Sequence, residues 1–142
     1  MRRLIGTVVI LALAVPIARA DEKDAKKLEG TYDLVAVIVG GKADDKKKDS
    51  VGAVVIKGGE IIIKEGKRDD NAKFTVDPSK NPAHIDITPK GKEKNVLGIY
   101  ETKDTDKGME LNIAFSKDGK ERPKDFKGEG KDDIVIKLFR KK

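Results

Sequence analysis

From Leu28 onward the apolar positions alternate with polar ones in short runs and never recur at helical spacing, which is the signature of half-buried β-strands. Eight such runs stand out: Thr31 to Val39, Ala53 to Lys57, Glu60 to Glu65, Ala72 to Asp77, His84 to Thr88, Asn95 to Thr102, Met109 to Phe115, and Asp133 to Arg140. Between them lie Gly, Asp, Lys, Asn and Pro, the residues of turns. In "AVVIKGGEIIIKEG" two β-branched runs meet at Gly58-Gly59, the pair a two-residue hairpin needs for its positive φ angles, so the second and third strands are predicted to be antiparallel neighbours. Only residues 43 to 50, "ADDKKKDS", leave room for a short helix, and they carry no apolar face.

Eight strands with mostly short connections predict an all-β domain built as an antiparallel meander. Closing it into an up-and-down barrel removes both exposed edges; a two-sheet sandwich is the alternative arrangement. Alternation then assigns the faces. Ile61 and Ile63, Ala72, Phe74 and Val76, Ile85 and Ile87, and Leu111, Ile113 and Phe115 point inward. In the first strand Asp33 marks the outer face, which places Tyr32 inward with Leu34, Ala36 and Ile38. In the last strand Arg140 is in phase with Ile134, Ile136 and Leu138. An inward Tyr32 and an inward Arg140 belong to strands that meet on closure, and their stacking would seal the barrel with roughly 0.5 to 2 kcal/mol.

The pieces "LEGTYDLVAVIVGGK", "FTVDPSKNPAHIDITP", "LGIYE", "ERPKDF" and "IVIKLFR", in that order across about residues 26 to 141, resemble a family of exported lipocalin-like domains of unknown function found as multiple paralogues in planctomycete bacteria. The resemblance implies the same eight-stranded lipocalin-like barrel. It also sets Gly30-Thr31-Tyr32 beside the lipocalin Gly-x-Trp signature, with Tyr in place of Trp and Arg140 as the basic partner. No ligand, reaction or catalytic residue comes with it.

The first twenty residues change the picture of the compartment. "MRRLIGTVVILALAVPIARA" runs from two arginines through an apolar stretch to Ala18-Arg19-Ala20, the order of a secretory signal peptide, and its apolar run is too short for the roughly 20 residues of a membrane span. Residues 1–20 are thus expected to be removed, 21–27 to form a charged flexible leader, and 28–142 to be the barrel domain. The expected location is the periplasm, the cell envelope or outside the cell. Without Arg2, Arg3 and Arg19 the net charge falls from +6 to +3. The absence of cysteine leaves packing and hydrogen bonds to hold the domain.

Candidate chemistry is sparse. Ser50, Ser79 and Ser116 lie in no nucleophile-elbow pattern, and His84 is the chain's one histidine, with Asp86 beside it on the outer face of its strand. Zinc lacks its usual ligands, and the acid-rich turns at Asp104, Asp106 and Glu110 and at Asp132 and Asp133 lack calcium-loop spacing and read as solvated loops. Phosphate-binding glycine loops and aromatic platforms for nucleic acid are missing as well. The expectation is therefore a non-enzymatic protein without cofactor, binding a small apolar ligand in the barrel. The alternative is an envelope interaction domain with a solid core, since the bulky inward residues could fill the centre. The long connection 116–133 is singled out because Arg122, Pro123 and Phe126 interrupt its charged residues, and Phe126 is a candidate either for a plug over one barrel end or for a local anchor that orders the connection.

Overall fold

The computed structural model describes residues 23–92 and 94–142; the signal-like segment 1–20 lies outside the described residues. The chain forms β1 (Gly30–Val39), β2 (Lys42–Ala43), α1 (Asp45–Ser50), β3 (Ala53–Lys57), β4 (Glu60–Glu65), β5 (Arg68–Asp77), β6 (Ala83–Pro89), β7 (Val96–Asp104), β8 (Gly108–Ser116) and β9 (Asp133–Lys141). All neighbours are antiparallel, and β1 pairs with β9 as well as with β3, so eight strands close into a lipocalin-like barrel while the two-residue β2 adds an edge to β1. The predicted hairpin is present: Lys57 pairs with Glu60, and Gly58 and Gly59 take φ values of 58 and 76°. Strand β5 begins four residues before the Ala72 expected from the sequence. The charged and amide residues 68–71 are poor strand formers, but pairing with Ile62 to Glu65 of β4 overrides their propensity.

Closure depends on β1 changing partners. Gly30, Thr31 and Tyr32 pair with Ile56, Val55 and Val54 of β3, whereas Asp33 onward pairs with β9. Where the two pairings meet, Tyr32 is wholly buried and the Arg140 guanidinium carbon lies 5.6 Å from its ring centroid. Burial raises the phenol pKa of Tyr32 above its ordinary value, the Arg140 charge pulling the other way. The Tyr32 hydroxyl donates to Leu28 O at 2.7 Å, and Arg140 Nη1 donates to Glu29 O. Gly30 is required beneath this arrangement. Its φ is +146°, and a Cβ there would stand 2.4 Å from Arg140 Cδ, so the arginine stem occupies the space a side chain would need.

Within the segment 21–27 expected as a flexible leader, the described residues approach the core. Residues 23–27 are helical, Ala25 packs on the core and Leu28 is 3% exposed. The Tyr32 and Arg140 hydrogen bonds hold these backbone carbonyls across this end of the barrel. Below them Ile56, Phe74, Ile85, Tyr100 and Leu111 complete a packed half.

Two expectations about faces need correction. A bulge between Leu34 and Ala36 sets Val35 and Ala36 against Lys137 alone, and a bulge of one residue reverses every side chain beyond it. Val37 and Val39 therefore face inward, while Ile38 faces out. Phe126 does not plug a barrel mouth. It packs on the outer wall with Ile38 against Ile99, Ala114 and Val135, a second small core between the barrel and the 117–132 connection. This connection is thus a strap. Arg122 pins it, with Nη1 donating to Gly98 O at 2.7 Å and lying 2.8 Å from Asp86 Oδ1. The ion contact lacks directed hydrogen-bond geometry, because the Nη1 hydrogens are given to the carbonyls.

Tyr32→Ala should cost about 3–5 kcal/mol in urea unfolding, and Tyr32→Phe about 1 kcal/mol. An unchanged midpoint in Tyr32→Ala or Arg140→Ala would show that this junction does not hold the barrel closed. Arg122→Ala should make residues 117–132 the first site cut in limited proteolysis while the barrel strands stay intact, whereas an unaltered digestion pattern would show that Phe126 alone holds the strap.

Candidate functional site

The barrel is packed at one end and hollow at the other. Toward the end where β4 turns into β5 and β8 ends, inward side chains leave a cavity of about 510 Å³, walled by Val54, Ile61, Ile63, Ala72, Ile87, Val96, Ile113, Phe115, Ile136 and Leu138. Ala72 is the small residue that opens the wall: a larger side chain opposite Ile61 would fill this space. The expectation that bulky inward residues fill the centre holds only for the half below, where Tyr32, Tyr100 and Met109 supply the volume.

A second lobe of about 420 Å³ lies beside the first under Leu34, Val37, Val39, Val51 and Ile134. Its position follows from the partner change in β1. Pairing with β3 stops at Tyr32–Val54, and β3 has only Ala53 left beyond that rung, so the wall between β1 and β3 parts at the hollow end. The 40–52 connection spans this gap. Its helix α1 is only six residues long, with the Asp44 side chain accepting from Lys47 N at 3.0 Å as N-cap and lysines in the last turn. No residue of α1 is buried. Val51, just after it, packs on the core.

At the rim the inward positions change from apolar to charged. On β4 and β5 the inward series runs Ile61, Ile63, Glu65 and Phe74, Ala72, Asp70, Arg68, and the pairs Ile63–Asp70 and Glu65–Arg68 face each other. Glu65 gathers two cations: Lys47 Nζ of α1 is 3.0 Å from Oε1, and Arg68 Nη2 donates to Oε2 at 3.0 Å. Lys47, and after it Arg68, hold the Glu65 carboxyl below the usual carboxylate range despite partial desolvation. The Lys47–Glu65 pair is the only ion pair joining α1 to the barrel wall among the described residues. It is a latch on the lid of the second lobe.

The cavity is lined by residues that alternation turns inward, Ile61, Ile63, Ala72, Ile87, Ile113, Phe115, Ile136 and Leu138, and by none of the candidate site residues. Tyr32 and Arg140 meet at the packed end; Arg122 and Phe126 bind the strap to the outer wall, and Pro123 lines a polar concavity within the strap. His84 faces out and pairs in register with Asp77, whose carboxyl is held low by Ser79; Asp86 is taken by Arg122 and not by His84. The serine hydroxyls are engaged locally, Ser50 with Lys47 O, Ser79 with Asp77 Oδ1 and Ser116 with Asp118 Oδ1. Among the described residues no group of three or more His, Cys, Asp or Glu side chains converges as a metal site. The rim residues were missed for different reasons: Arg68 and Asp70 lie before the strand start expected at Ala72, Lys47 lies in a segment without an apolar face, and Glu65 ends a predicted strand as a charged residue. The signal present was parity: Glu65 continues the inward series of Ile61 and Ile63.

Since Glu65 has a lowered pKa, its contribution to holding α1 is complete above the ordinary glutamate range and is lost as the pH falls through the lowered value. The chain has no cysteine, so a fluorophore on Ser50→Cys reports the helix alone. Its signal should change on acidification only below the ordinary glutamate range, and Glu65→Gln should show the released signal already at neutral pH. An identical titration in Glu65→Gln would mean that the latch does not hold the helix.

Comparisons with protein-family models, with curated proteins and with solved structures returned no match, so the barrel and its hollow half are the basis for a functional reading.

Proposed function

We propose that the chain is an exported, non-enzymatic carrier that holds a small, mostly apolar molecule in the open half of the barrel. The carrying observation is the cavity of about 510 Å³, walled mostly by aliphatic and aromatic side chains, with Asp69, Asp70, Asn71 and Lys90 also in its lining. Sites for small molecules commonly span about 300 to 1,000 Å³, with apolar walls and a few polar groups at one place. Here the polar groups are gathered at the rim, and the packed half below forms the floor. Such a site gains binding free energy by removing apolar surface from water, about 25 cal/mol per Å². The signal-like first twenty residues support export.

The test is titration with N-phenyl-1-naphthylamine, whose fluorescence rises in apolar surroundings. Saturable enhancement is expected for the native chain. Ala72→Phe should abolish it without lowering the unfolding midpoint, because the ring occupies space that the native core leaves unfilled. A native chain that gives no saturable enhancement, or an Ala72→Phe variant that binds the dye as well as the native chain, would contradict binding in this cavity.

A further inference from the structure

The two lobes are one space that forks. They share Val54 and Ile63, a register pair of β3 and β4, and Phe115 and Ile136 of β8 and β9. From that junction the first lobe runs toward β5 and β6, where Ala72 and Ile87 belong to its wall only. The second runs the other way, under β1 and the 40–52 connection, where Val39 and Val51 belong to its wall only. Both arms reach the rim at the same end. Asp70 borders each of them, and its side chain is 55% exposed.

The charged rim does not select the charge of a bound group. Glu65 holds Lys47 and Arg68 at 3.0 Å each, and Arg68 lies 3.7 Å from Asp70, so cations and carboxylates answer one another in water. Selection falls to the shape of the apolar interior. At about 510 and 420 Å³ each arm alone has the size of a site for one small molecule. A single-chain ligand would fill one arm and leave the other an apolar void, whose walls forgo the dispersion contacts that a second chain would make.

Resting on the carrier reading, we infer that the ligand is an amphiphile with two apolar chains on one polar head, one chain in each arm and the head at the solvated rim. The class is that of diacyl lipids rather than fatty acids or other single-chain molecules.

Two zwitterionic competitors with the same phosphocholine head and the same number of chain carbons test this on the whole chain: dihexanoylphosphatidylcholine, with two chains, and dodecanoyl-lysophosphatidylcholine, with one. Each is used below its micelle-forming concentration to displace bound N-phenyl-1-naphthylamine. The two-chain competitor should act at about tenfold lower concentration, because joining the chains makes entry into the second arm intramolecular. In Val39→Phe or Val51→Phe, which place a ring in the second arm only, that advantage should vanish. The dye and the single-chain competitor should bind these variants as before, which also shows that they are folded. Equal or better displacement by the single-chain competitor, no displacement by either, or a two-chain advantage that survives both substitutions would overturn the inference while leaving the carrier reading in place. If the native chain does not bind the dye, the carrier reading falls and the inference with it.

Discussion

Strand β1 must serve two neighbours, and the point where it leaves β3 for β9, between Tyr32 and Asp33, organises the rest of the molecule. On one side of that point the first strand is joined to β3, and the last strand reaches over it through Arg140. That end can be packed solid. On the other side β1 and β3 separate, and an eight-stranded barrel with a parted wall cannot be filled by strand side chains alone. The hollow lobes, the short helix across the gap and the charged rim are consequences of one change of partner.

The two ends are held by different physics. At the packed end the stabilising terms are burial and directed hydrogen bonds from Tyr32 and Arg140 to backbone carbonyls, arranged over a glycine that leaves room for the arginine stem. The Tyr32 bond is buried and Arg140 is half-buried. At the hollow end the 40–52 connection is tied to the wall by the backbone bonds Asp44 N to Val37 O and Gly52 N to Lys64 O and by Val51, and the helix itself by the ion pair Lys47–Glu65, which is screened and pH-sensitive because Lys47 is more than half exposed.

Much of the architecture was legible in the sequence, for a definite reason. Period-two alternation reports which side chains share a face, and Gly58-Gly59 reports a hairpin, so the strands, their antiparallel order and the inward placement of Tyr32 and Arg140 could be read directly. Alternation fails where the backbone breaks its own period. The bulge at Val35–Ala36 exchanged the faces of Ala36 and Ile38 with those of Val37 and Val39, and no residue there signals it. Of the two readings of Phe126, the plug fails and the local anchor holds, for another reason. Apolar residues on both faces, as in "LGIY", "IAF" and "IVIKLF", mark strands covered on two sides, and Val135, Ala114 and Ile99 await Phe126 on the outside. Of the cavity only the inward, space-leaving Ala72 was legible, because residue types give volumes but not the separation of the walls that carry them.

The most direct measurement of the hollow half is crystallography under xenon pressure, since xenon enters apolar cavities without needing a polar partner. Xenon is expected between Ile61, Ala72 and Ile136, with none in the packed half around Tyr32. A barrel that takes up no xenon at that position would contradict a cavity open to ligands.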